Sequence, residues 1–217
     1  MFEPIPDALI QPLDKNTHFC RTVTVYAGSA VGLDPIFAKA AYQLGKIIAI
    51  QGRTLVYGGG RTGLMGAVAE GALAHGGEVI GVINEDLNRP NLSHSGLTRL
   101  EIVPNIQIRK FRLIELGDAT IALPGGFGTF DEIFETLTGA QIGLHKKPVA
   151  FLNTVGYYDL LLKTLSFAMA ENFIFPIHRQ LYLSAENPLE LLNALDNYTP
   201  PQSLESWLER DENTPTN

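Results

Sequence analysis

A chain of 217 residues with 45% hydrophobic side chains is long enough to fold as one large domain around its own core. Its net charge of −7 excludes a broad basic footprint for duplex nucleic acid, but not a small phosphorylated ligand held by a local positive site. Its one cysteine, Cys20, excludes an intrachain disulfide; with no basic-then-apolar leader and no apolar run near ~18 residues, this predicts a reducing, cytoplasmic setting away from membranes.

In chain order, residues 1–19 are dotted with proline, lack periodicity and predict an N-terminal arm lying on the domain or on a partner subunit. The globular domain is expected over residues 20–198, and a polar, fraying C-terminal tail over residues 199–217. Thr22–Ala27 is a β-branched strand. Asp34 caps a helix with Pro35 at its first position, and apolar spacing through Ile36, Ala40, Leu44, Ile47 and Ile48 carries that helix to Gly52. Thr54–Tyr57 is a strand, Gly63–His75 a small-residue helix, Glu78–Ile83 a strand and Asn84–Thr98 a polar loop. Leu100–Val103 is a short strand before a helix from Asn105 to Leu116.

Ala119–Leu123 is continuously apolar, as a strand buried on both faces requires. A helix is predicted over Phe130–Leu144, then a strand over Pro148–Leu152, a helix over Tyr158–Asn172, a strand over Leu181–Ser184 and a last helix capped by Asn187–Pro188. This alternation predicts an α/β, Rossmann-like, doubly wound and mostly parallel sheet with helices on both faces.

Three strand ends carry small residues. Gly28-Ser29 follows the first strand. The second strand runs into Tyr57-Gly58-Gly59-Gly60-Arg61-Thr62-Gly63-Leu64-Met65-Gly66, in which Gly58, Gly60 and Gly63 fit a dinucleotide pattern, with Glu85 about 20 residues on. That pattern keeps a nicotinamide oxidoreductase open as an alternative. The central strand runs into Pro124-Gly125-Gly126-Phe127-Gly128-Thr129-Phe130-Asp131-Glu132. Glycines there let backbone N–H groups approach an anion, and the helix N-terminus adds partial positive charge. Thr129 reads as a helix cap or a phosphate donor, Glu132 as a first-turn carboxylate able to face a ligand, and Asp131 and Glu135 as partners of the helix dipole. In the run Arg109-Lys110-x-Arg112, at least one arginine is expected to point inward.

These residues resemble the LONELY GUY family of cytokinin riboside 5′-monophosphate phosphoribohydrolases, over about Thr22 to Leu195. The resemblance rests on the three turns, on Arg109-Lys110, and on Gln141-Ile142-Gly143-Leu144-His145-Lys146-Lys147-Pro148 and Gly156-Tyr157-Tyr158-Asp159. It implies hydrolysis of the N-glycosidic bond of AMP or an N6-substituted adenosine monophosphate, with Arg109 and Glu132 catalytic. It implies substrate contacts at Gly28, Ser29, Gly59, Gly60, Met65, Lys110, Gly125, Gly126, Phe127, Gly128 and Thr129. It implies no metal, no cofactor and a homodimer or larger assembly.

The lysine decarboxylase label that many members carry finds no Schiff-base lysine here. Three positions depart from the family pattern: Ile106-Gln107 before Arg109, Gly139 where an aromatic ring is common, and Asn84 where proline is common. The small Gly139 predicts a wider base pocket. The departures also keep a non-catalytic nucleotide-binding module among the alternatives.

Overall fold

The computed structural model describes residues 4–13, 20–202 and 204. The remaining stretches of the predicted arm and tail lie outside the described residues. Seven strands form one parallel sheet: β1 (Thr22–Tyr26), β2 (Thr54–Tyr57), β3 (Glu78–Asn84), β4 (Arg99–Val103), β5 (Ala119–Ala122), β6 (Val149–Leu152) and β7 (Tyr182–Ala185). Their spatial order is β4-β3-β2-β1-β5-β6-β7. The chain therefore starts in the middle, winds outward one way through β4, then returns to β5 and winds out the other way. The reversal lies between β1 and β5, which pair from Val23↔Ala119 to Tyr26↔Ala122. In open α/β sheets the crevice beyond the strand carboxyl ends at such a reversal is where ligands bind.

Alternate side chains of each strand enter opposite cores. Val23, Val25, Leu55, Tyr57, Ile121, Ala150 and Leu152 meet the helices α1 (Pro35–Ile50), α2 (Gly63–Leu73) and α6 (Pro188–Asp196). Tyr26, Val56, Ala122, Val149 and Phe151 meet α3 (Ile106–Leu116), α4 (Phe127–Gln141) and α5 (Asp159–Ala170). The described part of the arm joins the first core. Ile5 and Ile10 are buried there, and the Ile5 carbonyl accepts from Gln43 Nε2 at 3.2 Å.

The predicted caps hold: Asp34 accepts from the Ile36 N–H, and Asn187 from those of Leu189 and Glu190. Asn105, read as the first residue of its helix, is instead its cap and accepts from the Ile108 N–H. The helix after β5 departs from expectation. It begins at Phe127, three residues before the predicted Phe130, with Gly126 as its N-cap and no side-chain cap. It ends at Gln141 rather than Leu144. Thr129 is therefore an interior residue and not a cap, and Glu132 stands in the second turn instead of the first. Glycine imposes no Cβ constraint at the turn, so the helix starts where backbone geometry allows and not where a polar side chain marks it.

Candidate active site

The turns after β1, β2 and β5 converge above the sheet because glycine removes the atoms that would hold them apart. A Cβ on Gly63, whose φ is +64°, would collide with the Ser29 backbone. A Cβ on Gly58 would collide with the Arg109 guanidinium, and one on Gly125 with the Thr129 side chain. Between the turns lies a cavity of about 380 Å³.

Arg109 and Leu113 are the buried residues of α3, one turn apart on its inner face. The inward arginine expected from the basic run is thus Arg109. Arg112 instead bonds Glu101 and Glu115 on the outer side. Three partners fix the Arg109 guanidinium. Nε donates to the Val82 carbonyl at 2.9 Å, Nη2 to the Gly58 carbonyl at 3.2 Å, and Nη1 to Glu132 Oε1 at 3.0 Å.

Glu132 is only 8% exposed, and Arg109 only 7%. Burial pushes the Glu132 carboxyl above the ordinary glutamate range, and the Arg109 charge opposes that shift. Behind Glu132, the Thr136 hydroxyl donates to the Glu132 carbonyl at 2.9 Å and lies 3.1 Å from the Tyr26 hydroxyl. The carboxylate is therefore anchored both through its own charge partner and through its helix backbone.

The cavity brings together Gly28, Ser29, Gly60, Met65, Arg109, Gly126, Phe127, Gly128, Thr129 and Glu132. Three candidates lie elsewhere. Gly59, at φ +73°, turns its carbonyl to the His94 N–H at 2.9 Å and does not line the cavity. Gly125 lines a smaller cavity on the other side of its turn. Lys110 bonds Asp131 at 3.0 Å and Glu135 at 3.2 Å on the outer surface, which also gives those two acids a partner other than the helix dipole.

The two helix N-termini differ in what they offer. At α2 the Leu64 and Met65 N–H groups donate to the Gly28 carbonyl at 2.9 and 3.3 Å, and Met65 covers Gly58 and Gly60. That terminus is closed by the neighbouring loop, and Glu85 stands exposed beyond β3 in a short 3-10 helix. The dinucleotide-like spacing thus serves packing around Arg109 and Met65. At α4 no side chain caps the helix, and its first residues open on the cavity. The first N–H groups of a helix have no intrahelical acceptor, so α4 presents free donors beside a positive dipole end.

None of Asn84, Ile106, Gln107 and Gly139 lines the cavity. Gly139 faces His145 on the distal half of α4, so its lack of a ring does not widen this pocket. His145 Nε2 lies 3.0 Å from the Thr136 carbonyl, in the carboxyl half of α4. Sequence reasoning missed the apolar wall formed by Ile83, Leu87 and Leu92. Leu87 and Leu92 were apolar residues inside a segment read as a polar loop, which was the available signal. Among the described residues no group of three or more His, Cys, Asp or Glu side chains is arranged to hold a metal ion, and no helix is long and apolar enough to cross a membrane.

The family model described as "Possible lysine decarboxylase" matches residues 65–195. A cytokinin riboside 5′-monophosphate phosphoribohydrolase of Arabidopsis thaliana is 41% identical over 181 residues, 83% of each chain. One of Rhodococcoides fascians is 46% identical over 160 residues, 73% of this chain and 81% of that one. Among solved structures, the molybdenum cofactor binding protein of Rippkaea orientalis matches with a TM-score of 0.60 and 26% identity, covering 80% of this chain and 93% of that chain. The molybdenum cofactor carrier protein of Chlamydomonas reinhardtii, at 20% identity, shares the fold with a TM-score of 0.59 over 82% of this chain and 98% of that chain.

Proposed function

The chain belongs to the family of the cytokinin riboside 5′-monophosphate phosphoribohydrolases, and we propose from this that it hydrolyses the N-glycosidic bond of AMP or an N6-substituted adenosine 5′-monophosphate. The products are the free base and ribose 5-phosphate. The observation that carries this reading is the buried Arg109–Glu132 pair, 3.0 Å apart, beside the uncapped N-terminus of α4 in one cavity.

The phosphate sits against the N–H groups at the start of α4, where the dipole favours an anion. Thr129 adds a hydroxyl there. This anchor leaves the ribose near Glu132. As the C1′–N bond breaks, positive charge builds on the sugar, and the nearby carboxylate stabilises it. Glu132 also orients water and takes its proton as the oxygen bonds to C1′; the departing base takes up a proton from solvent, and Glu132 then returns its own to solvent. Arg109, fixed by Val82 and Gly58, favours the ionised form of Glu132 against its burial and holds it in place. Binding energy at the remote phosphate holds the sugar in reactive geometry.

The site needs no cofactor for this chemistry. We also take the working form to be a cytoplasmic homodimer. The low charged fraction of 18% and the exposed apolar residues of α3 and α4 support an assembly.

Incubation with AMP and with adenosine, followed by chromatography for adenine and ribose 5-phosphate, tests the reading. Adenine released from AMP and not from adenosine is the expected result. Equal turnover of both removes the phosphate anchor, and no release from any purine monophosphate ends the proposal.

A further inference from the structure

The turn after β5 has an unusual distribution of hydrogen bonds. Each of its four carbonyls has a donor. Leu123 accepts from the Tyr158 hydroxyl at 2.6 Å and Pro124 from the Gly28 N–H at 3.0 Å. Gly125 accepts from the Tyr157 hydroxyl at 2.6 Å and Gly126 from the Phe130 N–H at 3.0 Å. Two of these donors are phenols from adjacent residues on a different loop. A trans peptide unit is planar, with its C=O and N–H on opposite sides. Drawing the Gly125 carbonyl to Tyr157 therefore turns the Gly126 N–H the other way. Gly126 lines the Arg109–Glu132 cavity and Tyr157 does not.

The loop that delivers the phenols is built at some strain. Val155 has φ 46° and ψ 35°, a left-handed conformation that a β-branched residue rarely adopts, and Gly156 follows at φ +75°. Val155 is itself exposed, so its own burial does not reward the conformation. Asn153 holds the turn, accepting from the Tyr158 N–H at 2.7 Å and donating to Asp159 Oδ1 at 2.8 Å. The Tyr158 ring is buried against Phe151, with centroids 4.9 Å apart, and the Tyr157 ring stands edge-on to it, also at 4.9 Å. The rings thus have little freedom to withdraw their hydroxyls. Strain held in place by its surroundings is found where a particular local geometry serves function.

We infer that Tyr157 and Tyr158 are positioning residues. The Tyr157 hydroxyl holds the Gly125 carbonyl so that the Gly126 N–H is offered to a phosphate. The Tyr158 hydroxyl holds the Leu123 carbonyl, whose peptide leads into Pro124 and carries no N–H, and so fixes the base of the turn. Neither phenol touches the substrate. Gly126 has no side chain with which to cap α4, so the clamp does the orienting that a cap would otherwise do. This inference rests on the assignment of the α4 N-terminus to the substrate phosphate.

The test uses the full chain and its Tyr157→Phe and Tyr158→Phe variants. Calorimetric titration with AMP and with adenosine is combined with steady-state base release and thermal unfolding. Loss of one net hydrogen bond predicts that Tyr157→Phe raises both the AMP dissociation constant and KM by roughly three- to tenfold. Adenosine binding stays unchanged, and any fall in kcat stays smaller than the rise in KM, because Arg109 and Glu132 are untouched while only the phosphate anchor is loosened. Tyr157 is exposed, so its variant folds and decides the matter even where Tyr158→Phe, in the core, does not. A lowered unfolding temperature with unchanged AMP affinity overturns the inference alone. A wild-type chain that binds AMP no better than adenosine overturns it together with the phosphate assignment.

Discussion

At the scale of single residues, the proposed reaction depends on a carboxylate that is buried and yet must ionise. Burial raises the Glu132 carboxyl above its usual range, and Arg109 only partly offsets this. The acid limb of kcat/KM, which follows deprotonation of this group, should therefore lie above the ordinary glutamate value of about 4.3. Replacing a general base typically lowers turnover by roughly 10²–10⁴-fold, and Glu132→Gln should fall in that range. The same shift fixes the sign of the effect on stability. A raised folded-state value means that the stabilisation is complete below about pH 4.3 and is lost as pH rises through the folded value. The Gln variant, which still accepts from Arg109, escapes that loss. Its unfolding temperature relative to wild type should climb as pH rises from about 4 toward neutrality. A flat difference across that range would show that Glu132 titrates normally, and the acid limb should then move down with it.

At the scale of elements, the opposite edge of the sheet from the site is tied by charge. Arg53 at the start of β2 has a fully buried side chain and meets Asp196 of α6 at 2.9 and 2.6 Å. It also donates to the Gln51 side chain at 2.7 Å and the Cys20 carbonyl at 2.5 Å. Removing one member of a buried pair strands the other, at a cost of about 3–5 kcal/mol. Asp196→Ala should thus lower the unfolding temperature by at least about 6 °C for a chain of this size, while KM for AMP stays near wild type. A change under about 2 °C would show the pair to be weakly coupled to the fold.

This pair was invisible in the sequence because its members lie 143 positions apart. Local signals were legible: the caps at Asp34 and Asn187, the continuously apolar β5, and the small-residue turns. The start of α4 was not, because Thr129 resembles a cap while the true cap is a glycine with no side chain to show. The inward turn of Arg109 could be anticipated only as one member of a basic run. Its partner Glu132 was legible through resemblance, but their 3.0 Å contact depends on how α3 and α4 pack on one face, which spacing along the chain does not specify.

At the scale of the whole molecule, the two faces of the sheet differ in how completely they are covered. The helices α1, α2 and α6 enclose the first core, and Tyr42 is the only large hydrophobic residue they expose among the described residues. The helices α3, α4 and α5 leave Ile106, Ile108, Phe111, Phe134, Leu160 and Phe167 exposed, with Phe111 at 67% and Leu160 at 77%. These exposed apolar residues support the assembly proposed above. In the proposed homodimer a two-fold axis would set the same apolar helices against each other and shield both sets at once. Such an interface would bury more than ~2,000 Å² and be apolar at its centre. It would also lie close to the site, since α3 carries Arg109 and α4 carries Glu132. Light scattering at micromolar concentration should give at least twice the 23.7 kDa chain mass. Phe111→Asp should lower that mass to one chain and reduce AMP turnover, because charge buried at the contact is unpaired and the two helices lose their outer support. A wild-type monomer with full activity would separate the exposed face from both assembly and catalysis.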